Sequence, residues 1–129
     1  MKQLGWAVSG LALFILLGSA ANAANEPADF DVAAFAKAQA EGGTIVIESY
    51  AYWCLACRIQ APILDDLINH APFDSVTVFR IGETTTGRVW KQLHLSNYGT
   101  LIVFKGREEV SRGTPTTETT VATLIHRGL

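Results

Sequence analysis

Residues 49–64 read SYAYWCLACRIQAPIL, and this stretch holds both cysteines of the chain, Cys54 and Cys57. Four chemistries use paired cysteines. A structural staple across two residues closes a very short loop. The chain-entropy model gives it about 2 kcal/mol, against about 4.7 kcal/mol for a hundred-residue loop. A tetrahedral zinc site needs four ligands, commonly two pairs. The sequence supplies no second pair, and His70, His94 and His126 are scattered singly. Haem attachment needs histidine directly after the second cysteine, where Arg58 stands. A redox-active dithiol remains. The flanks favour it, because an apolar strand-like run precedes the pair and a helical pattern follows.

The position has its own physics. Cys54 falls at the expected start of a helix, where unpaired backbone N–H groups and the helix dipole favour a thiolate, the attacking species. Cys57 lies one turn further in and should be more buried. It would stay protonated until it resolves a mixed disulfide.

Outward from this segment, Thr44-Ile45-Val46-Ile47 is β-branched and apolar, as a strand buried on both faces would be. Ile59, Ile63, Leu64, Leu67 and Ile68 fall at helical spacing. That helix should be kinked by Pro62 and stop near His70. Asp31 is placed to cap a helix from Val32 to Ala40, which Glu41-Gly42-Gly43 ends. Val76–Phe79 predicts a second strand, Arg88–Leu95 a helix and Thr100–Phe104 a third strand. A tight turn at Lys105-Gly106-Arg107 leads to a short fourth strand, Glu108–Ser111. Thr114 can cap a last helix with Pro115 at its first position. Alternating helices and strands imply parallel pairing with helical crossovers, and the closing strand pair reads as an antiparallel hairpin. The fold class is α/β: a central mixed sheet with helices on both faces.

The N-terminus reads as a secretory signal peptide over residues 1–23. It has Lys2, the apolar run Leu11–Leu17 and an Ala21-Asn22-Ala23 cleavage pattern. The apolar core is short for a membrane span, which needs about 20 residues; an uncleaved anchor is the alternative. Residues 24–129 are then one domain in an oxidising space, the periplasm of a Gram-negative source. Lys2 is the only charged residue in the leader. The remainder therefore carries nine Lys and Arg against twelve Asp and Glu, a formal charge of −3. No basic run exceeds one residue, so nucleic acid is excluded as a partner.

Thr44–Asp66, with Trp53 before the first cysteine and Ala61-Pro62 after the second, resembles the active-site segment of thioredoxin. Tyr98–Val110, YGTLIVFKGREEV, is similar to that family's later loop-strand-turn-strand segment. The resemblance implies a thioredoxin-like fold and a thiol–disulfide oxidoreductase acting on protein disulfides without a cofactor. It makes Cys54 the nucleophile, Cys57 the resolving thiol and Glu48 the buried acid that takes the Cys57 proton. An alternative for Glu48 is a strand end facing water, and Arg80, at the end of an apolar strand, either reaches Glu48 across the sheet or is itself a solvated strand end. Trp53, Tyr98 and Gly99 are the implied substrate-binding positions. The family carries a cis-proline where Gly99 stands. A cis bond to a non-proline residue costs about 2.5–4 kcal/mol, so the Tyr98–Gly99 bond should be trans. The Leu55-Ala56 pair resembles that of a membrane-linked periplasmic disulfide reductase. This tips the expectation toward a monomeric reductase or isomerase served by a membrane-bound redox partner. A copper(I) chaperone using Cys54 and Cys57, and a docking module without turnover, are the competing readings.

Overall fold

In the computed structural model residues 23–129 are described. The leader assigned to residues 1–23 lies, apart from Ala23, outside them. The elements run β1 (Ala28–Asp29), α1 (Val32–Glu41), β2 (Thr44–Ser49), α2 (Leu55–Leu67), β3 (Thr77–Ile81), α3 (Gly87–Gln92), β4 (Leu101–Lys105), β5 (Glu108–Gly113) and α4 (Glu118–His126). They form one five-stranded sheet in the order β1-β3-β2-β4-β5. β1, β3 and β2 are parallel, while β2–β4 and β4–β5 are antiparallel. This is the mixed sheet expected from the sequence, with a hairpin closing its far edge.

β2 is the centre, and all six of its residues are buried. Strands alternate their side chains between faces, and two apolar layers result. Val46, Val78 and Val103 meet Leu64 and Ile68 from the α2 segment and Val121 and Ile125 of α4. On the opposite face Ile45, Ile47, Phe79 and Phe104 pack with Val89, Phe30 and Phe35. Phe35 meets Phe79 and Phe104 edge-on at 6.1 and 5.4 Å between centroids. Each such aliphatic or aromatic side chain contributes about 1.5–3 kcal/mol when fully removed from water.

Local signals explain the element boundaries. Asp31 caps α1, its carboxylate accepting from the Ala34 N–H at 2.8 Å, and Gly42 ends the helix at φ 78°. Element ends shift, with β3 at Thr77–Ile81 and β5 running on to Gly113, and further details differ from the sequence expectation. β1 pairs Ala28 with Phe79 and Asp29 with Arg80, a strand too short for a pattern to reveal. α3 stops at Gln92 instead of Leu95. Thr117, not Thr114, caps α4; it forms a reciprocal capping box with Thr120, so Pro115 lies in the extended lead-in. Ile59 is 42 % exposed, so the buried face of α2 is Cys57, Gln60, Ala61, Leu64 and Leu67. Pro62 sits within α2 on its solvent side.

Candidate active site

The site forms where the end of β2 meets the start of α2. Tight packing of β2 fixes the chain direction, and Ala51, Tyr52 and Trp53 then turn it into the helix. Cys54 is the N-cap of α2. Its sulfur accepts from the Cys57 backbone N–H at 3.2 Å, so one of the helix's unpaired donors is aimed at Cys54 Sγ. Cys54 is half-buried and Cys57 is 1 % exposed. The two are joined as a disulfide with Cα atoms 5.2 Å apart, and Cys57 Sγ lies 3.6 Å from the Ser49 carbonyl oxygen. An attacking sulfur at the surface and a second one beneath it is the asymmetry that dithiol exchange requires.

Glu48 is fully buried on β2. Register places it beside Arg80, whose Nε–H donates to Glu48 Oε2 at 2.8 Å. The alternative of a water-facing strand end is thereby removed. The other carboxylate oxygen, Oε1, has no hydrogen-bond partner. Burial pushes the Glu48 carboxyl above its ordinary range, and the Arg80 hydrogen bond and charge offset this only in part. Arg80 is held from its other side by the Tyr50 ring, 4.6 Å from the guanidinium carbon.

Aromatic side chains wall one side of the disulfide. The Tyr98 ring stands edge-on between Trp53 and Trp90, at 5.0 and 4.9 Å. Trp53 is 57 % exposed, and its Nε1–H donates to Glu83 Oε1 at 2.7 Å. Beside it Tyr52 and Leu55 are also exposed, which gives Cys54 an apolar surround. Gly99 closes the other side at φ 81°. A side chain there would begin 3.3 Å from Ala56 Cβ, 3.7 Å from Cys54 Sγ and 3.8 Å from Cys57 Sγ. The Tyr98–Gly99 bond is trans; Ala71–Pro72 is the cis bond among the described residues.

The structure thus gathers Cys54, Cys57, Trp53, Tyr98 and Gly99 at one place, with Glu48 behind it on the same strand end. Sequence reasoning missed two polar residues there, Ser49 and Gln60, both fully buried. Gln60 stands four residues before Leu64 and seven before Leu67, on the buried helical face. That spacing was the available signal. Among the described residues no three His, Cys, Asp or Glu side chains are grouped to hold a metal ion. No described helix is long and apolar enough to cross a membrane.

The thioredoxin family model matches residues 26–126, nearly the whole described chain. The chain belongs to the thioredoxin family. Chlamydia trachomatis thioredoxin is 33 % identical over 70 residues, which cover 54 % of this chain and 67 % of that protein. The solved structure of Trxlp from Edwardsiella tarda superposes with a TM-score of 0.73 at 27 % identity, covering 78 % of this chain and 98 % of Trxlp. A mutant thioredoxin from Halobacterium salinarum matches at a TM-score of 0.68 and 18 % identity, over 82 % of this chain and 93 % of that one, and so shares the fold. With its Cys54–Cys57 pair, this member of the family is a thiol–disulfide oxidoreductase of the thioredoxin type.

Proposed function

We propose that the protein reduces or isomerises disulfides of exported proteins in the periplasm, as a monomer recharged by a membrane-bound dithiol partner. The observation that carries the chemistry is the pairing of a half-exposed N-cap sulfur with a buried one a turn later. In the reduced protein the Cys54 thiolate attacks one sulfur of a substrate disulfide. A Cys54–substrate disulfide forms, and the substrate's other sulfur leaves as a thiolate. Cys57 loses its proton and attacks Cys54 Sγ, releasing the second substrate thiolate and closing the Cys54–Cys57 bond. The substrate gains two electrons and two protons, and a partner dithiol restores the pair.

Glu48 is assigned the proton. A carboxyl raised by burial, with one oxygen unengaged, is suited to accept from Cys57, directly or through water. Trp53, Tyr98 and Gly99 form the docking rim. Among the described residues no hydrogen bond engages the Tyr98 N–H or C=O, which leaves both for pairing with an extended substrate strand. The leader pattern of residues 1–23 supports export, and the reducing tilt rests on how little holds the Cys54 anion. One backbone N–H touches its sulfur, and no imidazole lies between the cysteines.

Equilibrium titration of the dithiol against glutathione tests the direction. A potential near about −270 mV marks a reductant, and one near about −120 mV would replace this reading with an oxidant. A Cys57→Ala variant should trap substrate proteins through Cys54 in periplasmic extracts. Gly99 sets no proline ring over the two sulfurs, where a Cβ would stand 3.7 Å from Cys54 Sγ and 3.8 Å from Cys57 Sγ, and this favours a copper(I) carrier as a second reading. Tight binding of one equivalent of copper(I) by the reduced protein, without disulfide turnover, would establish it.

A further inference from the structure

The turn at Gly99 lacks the ring that would stiffen it, yet it is fastened. The Gly99 N–H donates to the Ser49 carbonyl at 2.8 Å, and the Thr100 N–H donates to Ser49 Oγ at 2.9 Å. The Ser49 hydroxyl in turn lies 3.0 Å from the Asn97 carbonyl. From the other side Gln60 Nε2 donates to the Gly99 carbonyl at 3.0 Å and to the Pro115 carbonyl at 2.8 Å. We propose that Ser49 and Gln60 are positioning residues, a polar clasp that sets the Gly99 turn against the disulfide and so presents the Tyr98 backbone to substrate. This rests on the docking role given to that turn above.

Three features argue for the clasp over simple packing. The Gly99 N–H bond is one that proline cannot make, so this turn is held by a different device, not by a weakened copy of the same one. The Ser49 carbonyl that accepts from Gly99 also faces Cys57 Sγ, which ties the turn to the resolving sulfur. Gln60 is fully buried with its Oε1 unpartnered, an arrangement that costs stability and that an apolar residue would avoid. Only the NH₂ end of an amide can serve two carbonyls at once. The side chain's orientation is therefore fixed by Gly99 and Pro115 together, and the amide joins the active-site turn to the lead-in of α4.

The test compares wild type with Gln60→Met, of similar length and apolar, and with Ser49→Ala. Each is assayed for reduction of insulin, a protein disulfide, and of dithiobis(nitrobenzoate), which has no backbone to pair. Hydrogen exchange of the Gly99 and Thr100 amides is followed in the same proteins. The clasp predicts about a tenfold rise in KM for insulin, little change with dithiobis(nitrobenzoate), and about tenfold faster exchange at those amides. Such a factor is what about 1.4 kcal/mol of lost hydrogen bonding gives. Folded Gln60→Met with unaltered insulin KM and unaltered exchange overturns the proposal, as does an equal loss on both substrates. If Gln60→Met does not fold, Ser49→Ala decides by the same readouts. Wild type inert toward both disulfides would overturn the functional reading and the docking role with it. Active wild type beside an indifferent variant overturns the clasp alone.

Discussion

Replacing Glu48 by leucine should make the protein less stable and a poorer catalyst, and the two effects can be sized separately. Glu48 is fully buried, with one oxygen on Arg80 and the other on nothing. Removing one partner of a buried ion pair costs about 3–5 kcal/mol, because the other charge is left uncompensated. The loss here falls at or below the low end, because Arg80 loses its partner but keeps the Tyr50 ring and partial access to water. Each 1 kcal/mol lost lowers Tm by roughly 4–8 °C in a domain this size. The sign also depends on pH. Burial raises the folded-state carboxyl above its ordinary value of 4.5, so the native protein holds this proton more tightly than the unfolded chain. Stability from that proton is complete below about 4.5 and is lost as pH rises through the folded-state value. The deficit of Glu48→Leu against wild type should therefore narrow from acid to neutral pH. On the catalytic side, a thiol of ordinary pKa, about 8.5, is roughly 3 % ionised at neutral pH. Losing the base that takes the Cys57 proton slows resolution by up to about 30-fold on that arithmetic. Urea unfolding of the oxidised forms across pH gives the first quantity, and decay of a preformed Cys54 mixed disulfide gives the second. A variant whose deficit shows no pH trend, with unchanged resolution, would refute the assignment of Glu48 as a strained, proton-accepting group.

Brief alkylation of the reduced protein, mapped by mass spectrometry, should label Cys54 and spare Cys57, since only the first reaches solvent; equal labelling would contradict the division of roles. Thr117→Ala should cost about 1 kcal/mol through loss of the α4 cap while Thr114→Ala stays near neutral, read from unfolding midpoints. Gly128→Ala should destabilise by about 1–3 kcal/mol, because a methyl there would stand 2.7 Å from Thr44 Cγ2 and 2.8 Å from Val103 Cγ1; an unchanged midpoint would show that the C-terminal turn gives way freely.

The parts of the fold legible in the sequence are those whose residues carry their own reason. Thr44–Ile47 is β-branched and apolar because both faces of β2 are covered, and the strand could be placed without its partners. The cysteine pair declared its helix start in the same way, and Asp31 its cap. The parts that were not legible depend on something elsewhere. Ala28-Asp29 becomes a strand only because the outer edge of β3 offers it hydrogen bonds. Thr114 and Thr117 are equal candidates by local chemistry. The choice falls to Thr117, with Thr120 completing a reciprocal box and the Pro115 carbonyl engaged by Gln60 in the lead-in. Glu48 showed its type but not its surroundings, and register with Arg80 decided those.

Ser49, Gln60 and Gly99 are best understood as one hydrogen-bonded arrangement and not three separate features. Gly99 alone would leave a turn of great conformational freedom beside the reactive sulfurs. Gln60 alone would be an unprovided amide in an apolar helix face, and the Ser49 hydroxyl an unprovided group in a buried strand. Together they close the turn: the Ser49 backbone carbonyl accepts the Gly99 N–H, the Ser49 hydroxyl accepts the Thr100 N–H, and Gln60 holds the Gly99 carbonyl. Restoring a proline at position 99 alone would not recover the familiar arrangement. It would remove the N–H that Ser49 accepts and force φ toward about −65°, where Gly99 now stands at 81°. The docking turn and the residues beneath it therefore have to change together. That coupling is why a glycine can occupy this position next to an intact dithiol without leaving the turn unfastened.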